Sequence, residues 1–341
     1  MSRAKALQYY ISARLLLAPL MIWTIVTVVF LLLRATPGDP VDAILGNRAP
    51  EAAKAVMREQ LGLNKSLLAQ YFDYLGNLLH LNLGNSITSK GTSVWEIIQR
   101  HFPATVELTF YSMVVAIAVG VTLGMVAASR PGTSIDVGGR LFGIITYSLP
   151  IFWVGMLLQL VLSVQLGLFP LGTRFPLNET APQGLTGIYT IDSILGGNLS
   201  QLLISIHYLA LPCLTLGILL SGIFERMVRV NLKQTLQADY VEAARARGVG
   251  ERQVLLAHAL KNALIPVITV LGLTFASLLG GAVLTEVTFS WPGLGNRLYE
   301  AISVRDYPTV QGLMIFFGVI VVIASMLIDI INAYIDPRIR Y

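Results

Sequence analysis

Long uncharged runs decide what this chain can become. Leu15–Leu33 holds 19 consecutive residues without Asp, Glu, Lys or Arg. A helix of that length, at ~1.5 Å per residue, covers about 28 Å, close to one bilayer hydrocarbon core. Comparable runs recur at Leu108–Ala128, Leu141–Phe169, Leu202–Phe224, Leu264–Thr285 and Thr309–Ile331, the last with Asp329 near its inner end. Only 13% of the residues are charged and 55% are hydrophobic, whereas about a quarter are charged in soluble domains. The expected fold is all-α, a polytopic membrane protein with six transmembrane helices.

The first run reads as an uncleaved helix. It exceeds the ~7–15 apolar residues usual for a signal-peptide core, and no small-x-small cleavage pattern follows. The expected organisation is residues 1–14 as a cytoplasmic N-terminus, 15–33 as the first span, 34–103 as an extracytoplasmic segment, and 104–341 as a core of five further spans. A charged loop, 226–262, interrupts that core between spans four and five. Orientation follows from Lys and Arg. With 34–103 set aside as too long for the rule, the N-terminus, the second–third loop, 226–262 and the C-terminus carry 14 against 3 on the other side, which places both termini inside. The net charge of +5 is spread along the flanks of apolar spans and forms no single stripe, so nucleic acid is not an expected partner and membrane lipid is.

Within the polar 34–103 segment, Pro37-Gly38-Asp39-Pro40 reads as a turn. Leu67, Leu68, Tyr71, Phe72, Leu75, Leu78 and Leu79 sit at helical spacing, which predicts an amphipathic helix on the membrane or against the spans. Ala116, Gly120, Gly124 and Ala128 line one face of the second span, so another helix can approach closely there. Pro150 predicts a kink in the third span, where Tyr147, Ser148, Phe152, Trp153 and Gln159 are candidates to line a pathway. Ile191, Ile194, Leu195 and Leu199 predict a short surface helix. Cys213, alone in the chain, reads as a packing residue, and His207 as interfacial.

The 226–262 loop is organised. Leu232, Leu236, Tyr240 and Ala243/Ala244 repeat every three to four residues, giving a helix with one apolar face. Gly248 and Gly250 are expected to stop it through left-handed backbone. A second helix, Glu251–Leu260, follows, with Glu251 and Arg252 exposed and Val254, Leu255 and Ala259 turned inward. By these features alone the stretch is a surface helix–turn–helix or an ordinary solvated loop. Around Trp291 the residues predict an anchored turn at the membrane interface.

Enzymatic classes find little support. No Gly-Lys dipeptide occurs, so there is no phosphate-binding loop of the Gly-x-x-x-x-Gly-Lys-[Ser/Thr] type. Gly-x-Ser-x-Gly, His-Glu-x-x-His and metal-ligand spacings are absent from the sequence as well. A secondary transporter or channel is the competing class, but ion-coupled carriers keep ionisable residues within spans, and the mid-span runs hold none.

Glu242-Ala243-Ala244, with Gly248 downstream, resembles the EAA loop of bacterial ABC-transporter permeases, and the continuation His258-Ala259-Leu260-Lys261-Asn262-Ala263-Leu264-Ile265-Pro266 is similar to the dipeptide/oligopeptide/nickel branch. Phe289-Ser290-Trp291-Pro292-Gly293-Leu294-Gly295, Arg305-Asp306-Tyr307-Pro308, Gln311-Gly312 and the terminal Asp336-Pro337-Arg338-Ile339-Arg340 resemble that branch too. So do Leu61-Gly62-Leu63 and Leu83-Gly84-Asn85-Ser86. The resemblance implies a dipeptide-permease-B-type subunit of the bacterial inner membrane. It implies that Glu242, Ala243, Ala244, Arg245, Arg247 and Gly248 couple to an ATPase, and that Trp291, Pro292, Gly293, Gly295, Arg305, Asp306, Tyr307 and Pro308 form a family signature. The implied partners are a second homologous permease, two ATP-binding cassette subunits holding ATP and magnesium, and an extracytoplasmic binding protein; no cofactor or metal is implied in this chain. Di- or oligopeptide is the favoured substrate, with chelated nickel or glutathione as alternatives.

Overall fold

In a computed structural model, residues 3–35, 40–46, 48–60, 62–89 and 91–335 are described. The Pro37-Gly38-Asp39 part of the expected turn, Leu61, the Asp336–Arg340 tail and the Asp329 side chain lie outside the described residues. The elements run α1 (Arg3–Ala35), α2 (Pro40–Leu45), α3 (Glu51–Gln60), α4 (Leu67–Leu79), α5 (Val94–Ser129), α6 (Ser134–Ser148), α7 (Ile151–Leu158), α8 (Tyr189–Leu195) and α9 (Leu199–Leu236). They continue with α10 (Asp239–Ala246), α11 (Glu251–Gln253), α12 (Leu260–Ala263), α13 (Ile265–Leu279), α14 (Val283–Thr288), α15 (Leu294–Ser303) and α16 (Tyr307–Ile335). Wide π turns follow α7 (Gln159–Gln165) and α11 (Val254–Ala259). Among the described residues the only β pairing is one bridge between Asn85 and Ser93.

Four helices are long and apolar enough to cross a bilayer: Leu16–Ala35, Val94–Ser129, Leu199–Leu236 and Tyr307–Ile328. Two bent pairs, Ser134–Ser148 with Ile151–Gln165 and Glu251–Ala263 with Ile265–Leu279, bring the number to six. The chain is therefore an all-α polytopic membrane protein. Several expected bounds shift. The second span begins at Val94, where Ser93 caps the helix by accepting from the Trp95 amide at 3.3 Å. The third is not one kinked helix: its halves meet at 98°. Leu149, forced out of helical backbone by the proline ring that follows, is extended at φ −82°, ψ 129°. The fourth runs on through Leu236, so the first residues of the 226–262 loop belong to a helix. The fifth stops at Leu279 before Gly280-Gly281.

The packing spine is α5 against α9, running in the same direction. A Cβ on Gly120 would lie 2.5 Å from the Ser221 carbonyl, one on Gly124 2.7 Å from the Glu225 carbonyl, and one on Gly217 2.7 Å from the Ser112 carbonyl. Backbone thus meets backbone where the small-residue face lies, and α9 is its partner. This is how helices associate when lipid removes the hydrophobic drive between them. The same logic recurs where Gly272 of α13 faces Ile328 of α16 and Gly318 of α16 faces Ile25 of α1. Cys213 is buried among Ala104, Leu108, Leu209 and Trp291.

Outside the spans, α4 lies on α1. The Tyr71 hydroxyl pairs with Thr27 Oγ1 at 2.6 Å, and Phe30 meets the rings of Tyr71 and Tyr74. Leu68, Phe72 and Leu79 are exposed on α4. The short α8 is present but inside out: Ile191, Ile194 and Leu195 are exposed, while Thr190, Asp192 and Ser193 are buried.

Candidate functional site

Three features stand out: an exposed loop helix, a buried polar cluster built from the sequence signature, and a charged cleft between α6 and α9.

The loop helix is α10. Val241 and Ala244 bury into a cluster with Ala128, Leu232, Val254, Ala259 and Ala263, which seats α10 on the ends of the spans. Leu255 is half-buried, while Glu251 and Arg252 are exposed, as the apolar pattern requires. The opposite face presents Glu242, Ala243, Arg245, Ala246 and Arg247 to the outside. Gly248 ends α10 at φ +77°. No atom lies within 4 Å of where its Cβ would be, so glycine is needed there for backbone conformation and not for room. Gly250 differs from the expectation: at φ −63°, ψ 144° it is extended and precedes α11. Arg245 holds the turn together, donating through Nε and Nη2 to the two Glu251 carboxylate oxygens at 2.8 and 3.2 Å and through Nη1 to the Leu236 carbonyl. Arg247 donates to the Ala243 carbonyl at 3.2 Å. The surface is thus exposed, backed by a buried apolar face and mixed in charge.

The signature around Trp291 overturns the interfacial-turn reading. Trp291 is fully buried, and its Nε1 donates to the Ala104 carbonyl at 2.8 Å. Pro292 offers its carbonyl to His101 Nδ1 at 3.0 Å. Glu286, wholly buried, lies beneath the turn and accepts from Thr105 Oγ1 at 2.8 Å and the Asn296 amide at 2.9 Å. A Cβ on Gly293 would collide with that carboxylate and one on Gly295 would fall 2.9 Å from it, so both glycines are required for space. Burial pushes the Glu286 carboxyl above the usual range, and the hydrogen bonds from Asn296, Thr105 and Gly295 only partly oppose it.

The second half of the signature reaches the 34–103 segment. Asp306, wholly buried, accepts from Ser86 Oγ at 2.5 Å, the Ile87 amide at 3.2 Å, Thr88 Oγ1 at 2.9 Å and Thr309 Oγ1 at 2.9 Å. Burial alone would raise its carboxyl, but these bonds outweigh it and hold the group below the usual carboxylate range. Arg305 is at φ +56° and Ser290 at φ +49°, backbone that side chains other than glycine's rarely adopt. Tyr307 and Pro308 open α16, and the Pro308 ring lies 3.5 Å from where a Gly84 Cβ would be. The motifs near residues 84 and 306, far apart in sequence, are one structure.

Charges that the uncharged-run reading missed sit at the edges of those runs. Glu107, one residue before the second run, is buried and forms a 2.5 Å ion pair with buried Arg174 while accepting from the Thr190 amide and hydroxyl at 2.8 Å. Glu225, one residue past the fourth, is fully buried and bonded to Arg229 Nε at 2.9 Å. Asp136 takes Lys233 Nζ at 2.7 Å and lies 3.8 Å from Arg229 and from Arg140, clasping α6 to α9. The sequence signal was available: Glu225, Arg229 and Lys233 fall at four-residue spacing, as do Gly139 and Gly143, the two glycines that face the Glu225 carboxylate. Beside this clasp opens a cleft of about 810 Å³ lined by Arg140, Tyr147, Ser148, Arg226, Arg229 and Asn231. Of the candidate pathway residues, only Tyr147 and Ser148 line it. Gln159 instead ties the backbone together through the Leu171 and Thr288 carbonyls. Phe152 and Trp153 are exposed on α7, and His207 meets the Leu168 carbonyl at 2.9 Å. Among the described residues no three His, Cys, Asp or Glu side chains gather as metal ligands would.

Comparison with known proteins accounts for this arrangement. Residues 120–341 match the model of the binding-protein-dependent transport system inner membrane component family, and residues 7–109 match the N-terminal model of such membrane components. The chain is 41% identical over 316 residues to the di/tripeptide transport system permease protein DppB of Pseudomonas aeruginosa, covering 92% of this chain and 93% of the relative. It is 38% identical to the dipeptide transport system permease protein DppB of Alkalihalophilus pseudofirmus over 98% of this chain and 100% of that one. It is 35% identical to the oligopeptide transport system permease protein AppB of Bacillus subtilis over 97% of this chain and 99% of the relative. The chain belongs to the binding-protein-dependent transport system inner membrane component family, in its peptide-permease branch.

Proposed function

We propose that this chain is the membrane-spanning permease subunit of an ATP-driven importer of di- and oligopeptides. One observation carries the reading: relatives named as dipeptide and oligopeptide permeases match it over 92–98% of this chain. The remainder of the assembly follows from chemistry that this chain lacks. Without a phosphate loop it depends on separate ATPase subunits, and α10 offers them an exposed, firmly seated surface in Glu242, Ala243, Arg245, Arg247 and Gly248. A second homologous permease completes the passage, and an extracytoplasmic binding protein delivers the peptide. Both termini and the 226–262 loop lie in the cytoplasm of a bacterial cell, with 34–103 outside.

Uptake in cells that lack their own peptide, nickel and glutathione importers tests the substrate. The operon containing this chain should confer uptake of labelled dialanine that unlabelled di- and tripeptides suppress. Uptake of chelated nickel or glutathione, with none of dialanine, would overturn the peptide assignment.

A further inference from the structure

On the side of the molecule opposite α10, three stretches far apart in sequence close around a pocket of about 480 Å³. They are Ser89 and Thr92 with the first turns of α5, Arg174 of the loop leading to α8 with Tyr189 at the start of that helix, and Pro292 with Arg297 of the Trp291 signature. Its chemistry is fixed in part by bonds already made. Arg174 is committed to Glu107 and lies 3.7 Å over the Tyr189 ring. Arg297 donates to Ser89 Oγ and to Glu300 at 3.1 Å. His101 faces the Pro292 carbonyl through Nδ1. A carbonyl only accepts, so Nδ1 carries the proton of the neutral ring and Nε2 is left as an acceptor. Against this fixed frame stand two uncommitted charges of opposite sign. Glu96 and Arg100 line the pocket, are exposed, and have no ion-pair or hydrogen-bond partner through their side chains among the described residues.

A cavity of this size with one free carboxylate, one free guanidinium and an adjacent imidazole acceptor complements a small zwitterion. We propose that this pocket is a ligand site for the two charged ends of a short peptide, with Glu96 and His101 Nε2 taking the ammonium group and Arg100, supported by Arg297, taking the carboxylate. The site rests on the peptide-import reading and adds to it a place on the permease itself where the cargo is held, at the ends of the spans opposite α10. The free ends would be read and the side chains left largely unread, because the charged lining residues answer to ends alone.

The test uses the membrane complex purified with its native partners in lipid nanodiscs, binding protein withheld, and labelled dialanine as the probe. Unlabelled dialanine, dialanine amide and N-acetyl-dialanine are the competitors. Wild-type complex should bind dialanine saturably. Arg100→Gln should weaken dialanine about tenfold and leave the amide, which has no carboxylate, unchanged. Glu96→Gln should weaken dialanine similarly and leave the acetylated peptide unchanged. Both side chains are exposed, so the variants should fold, and an end-selective pattern cannot arise from unfolding. No saturable binding, or equal effects on all three ligands, would overturn the site. Dialanine uptake at the wild-type rate in both variants would also overturn it while leaving peptide import standing. Failure of the wild-type transporter to take up any peptide would instead refute the import reading.

Discussion

Replacing Asp306 with alanine probes the junction on which the signature depends. The side chain is fully buried and accepts from Ser86, Ile87, Thr88 and Thr309. Its truncation to a methyl group would strand the buried Ser86 and Thr309 hydroxyls and the half-buried Ile87 amide, while the exposed Thr88 hydroxyl can turn to solvent. A buried donor left unpaired costs about 1–3 kcal/mol, but the three hydroxyls can rotate toward other acceptors and the Ile87 amide cannot. Taking about 1 kcal/mol for each of the three donors shielded from water gives a loss of roughly 3 kcal/mol. Asp306→Asn keeps one acceptor oxygen and the shape, so its loss should be about 1–2 kcal/mol. The chain supplies its own reporter: its one cysteine, Cys213, is buried in the α5–α9 core, so a thiol-reactive dye in detergent reads unfolding directly. Acid should sharpen the contrast. Because folding lowers the Asp306 carboxyl, its contribution is complete above the ordinary carboxylate range, about 4, and disappears as pH falls through the lowered value. The Asp306→Asn protein should lack that acid-dependent component. Equal unfolding midpoints for the wild type and both variants would refute the claim that Asp306 clasps residues 86–88 to α16.

Other outcomes follow from the same structure. Gly248→Val, at a φ of +77°, and Glu242→Lys should leave membrane levels normal while weakening capture of the ATPase subunits and abolishing uptake. Wild-type behaviour of both in co-purification and uptake would sink the coupling role of α10. Glu107→Gln breaks a buried ion pair with Arg174 and should destabilise by about 3–5 kcal/mol, read by the same dye assay. Glu286 answers to pH in the opposite sense from Asp306: folding raises its carboxyl, so its contribution is complete below the ordinary range and is lost as pH rises through the raised value. Glu286→Gln should therefore flatten the alkaline limb of the stability profile. Impermeant thiol labelling of intact cells should modify a cysteine placed at Asn85 but not at Gln237, both exposed in the fold; the reverse would invert the topology.

Much of the architecture was legible because lipid imposes simple rules. Uncharged runs marked where the helices would be, and the four-residue repeat of small side chains in α5 marked the face where α9 packs. Gly248 was legible as a stop because a φ of +77° suits glycine. Other features were hidden. Pro150 announced a disturbance, but not that Leu149 would become extended and turn the chain by 98°. Tryptophan is common at membrane interfaces, which draws Trp291 there by residue type, whereas its indole N–H finds a buried carbonyl at Ala104. Counting charges within apolar runs overlooked Glu107 and Glu225, each one residue beyond a run, since burial continues along a helix until packing ends and not where hydropathy falls. The junction of Ser86 with Asp306 joins residues 220 positions apart, a pairing that no local pattern encodes.

Passage of peptides through this chain, driven by work done in other subunits, is tested most directly in proteoliposomes carrying the complete transporter. They are supplied with ATP on the side of α10 and with labelled dialanine and binding protein on the other. Dialanine should accumulate above its external concentration only when ATP is hydrolysable, and not when this chain is omitted. Accumulation without ATP under an imposed proton or sodium gradient, or ATP hydrolysis by this chain alone, would contradict an ATP-driven permease.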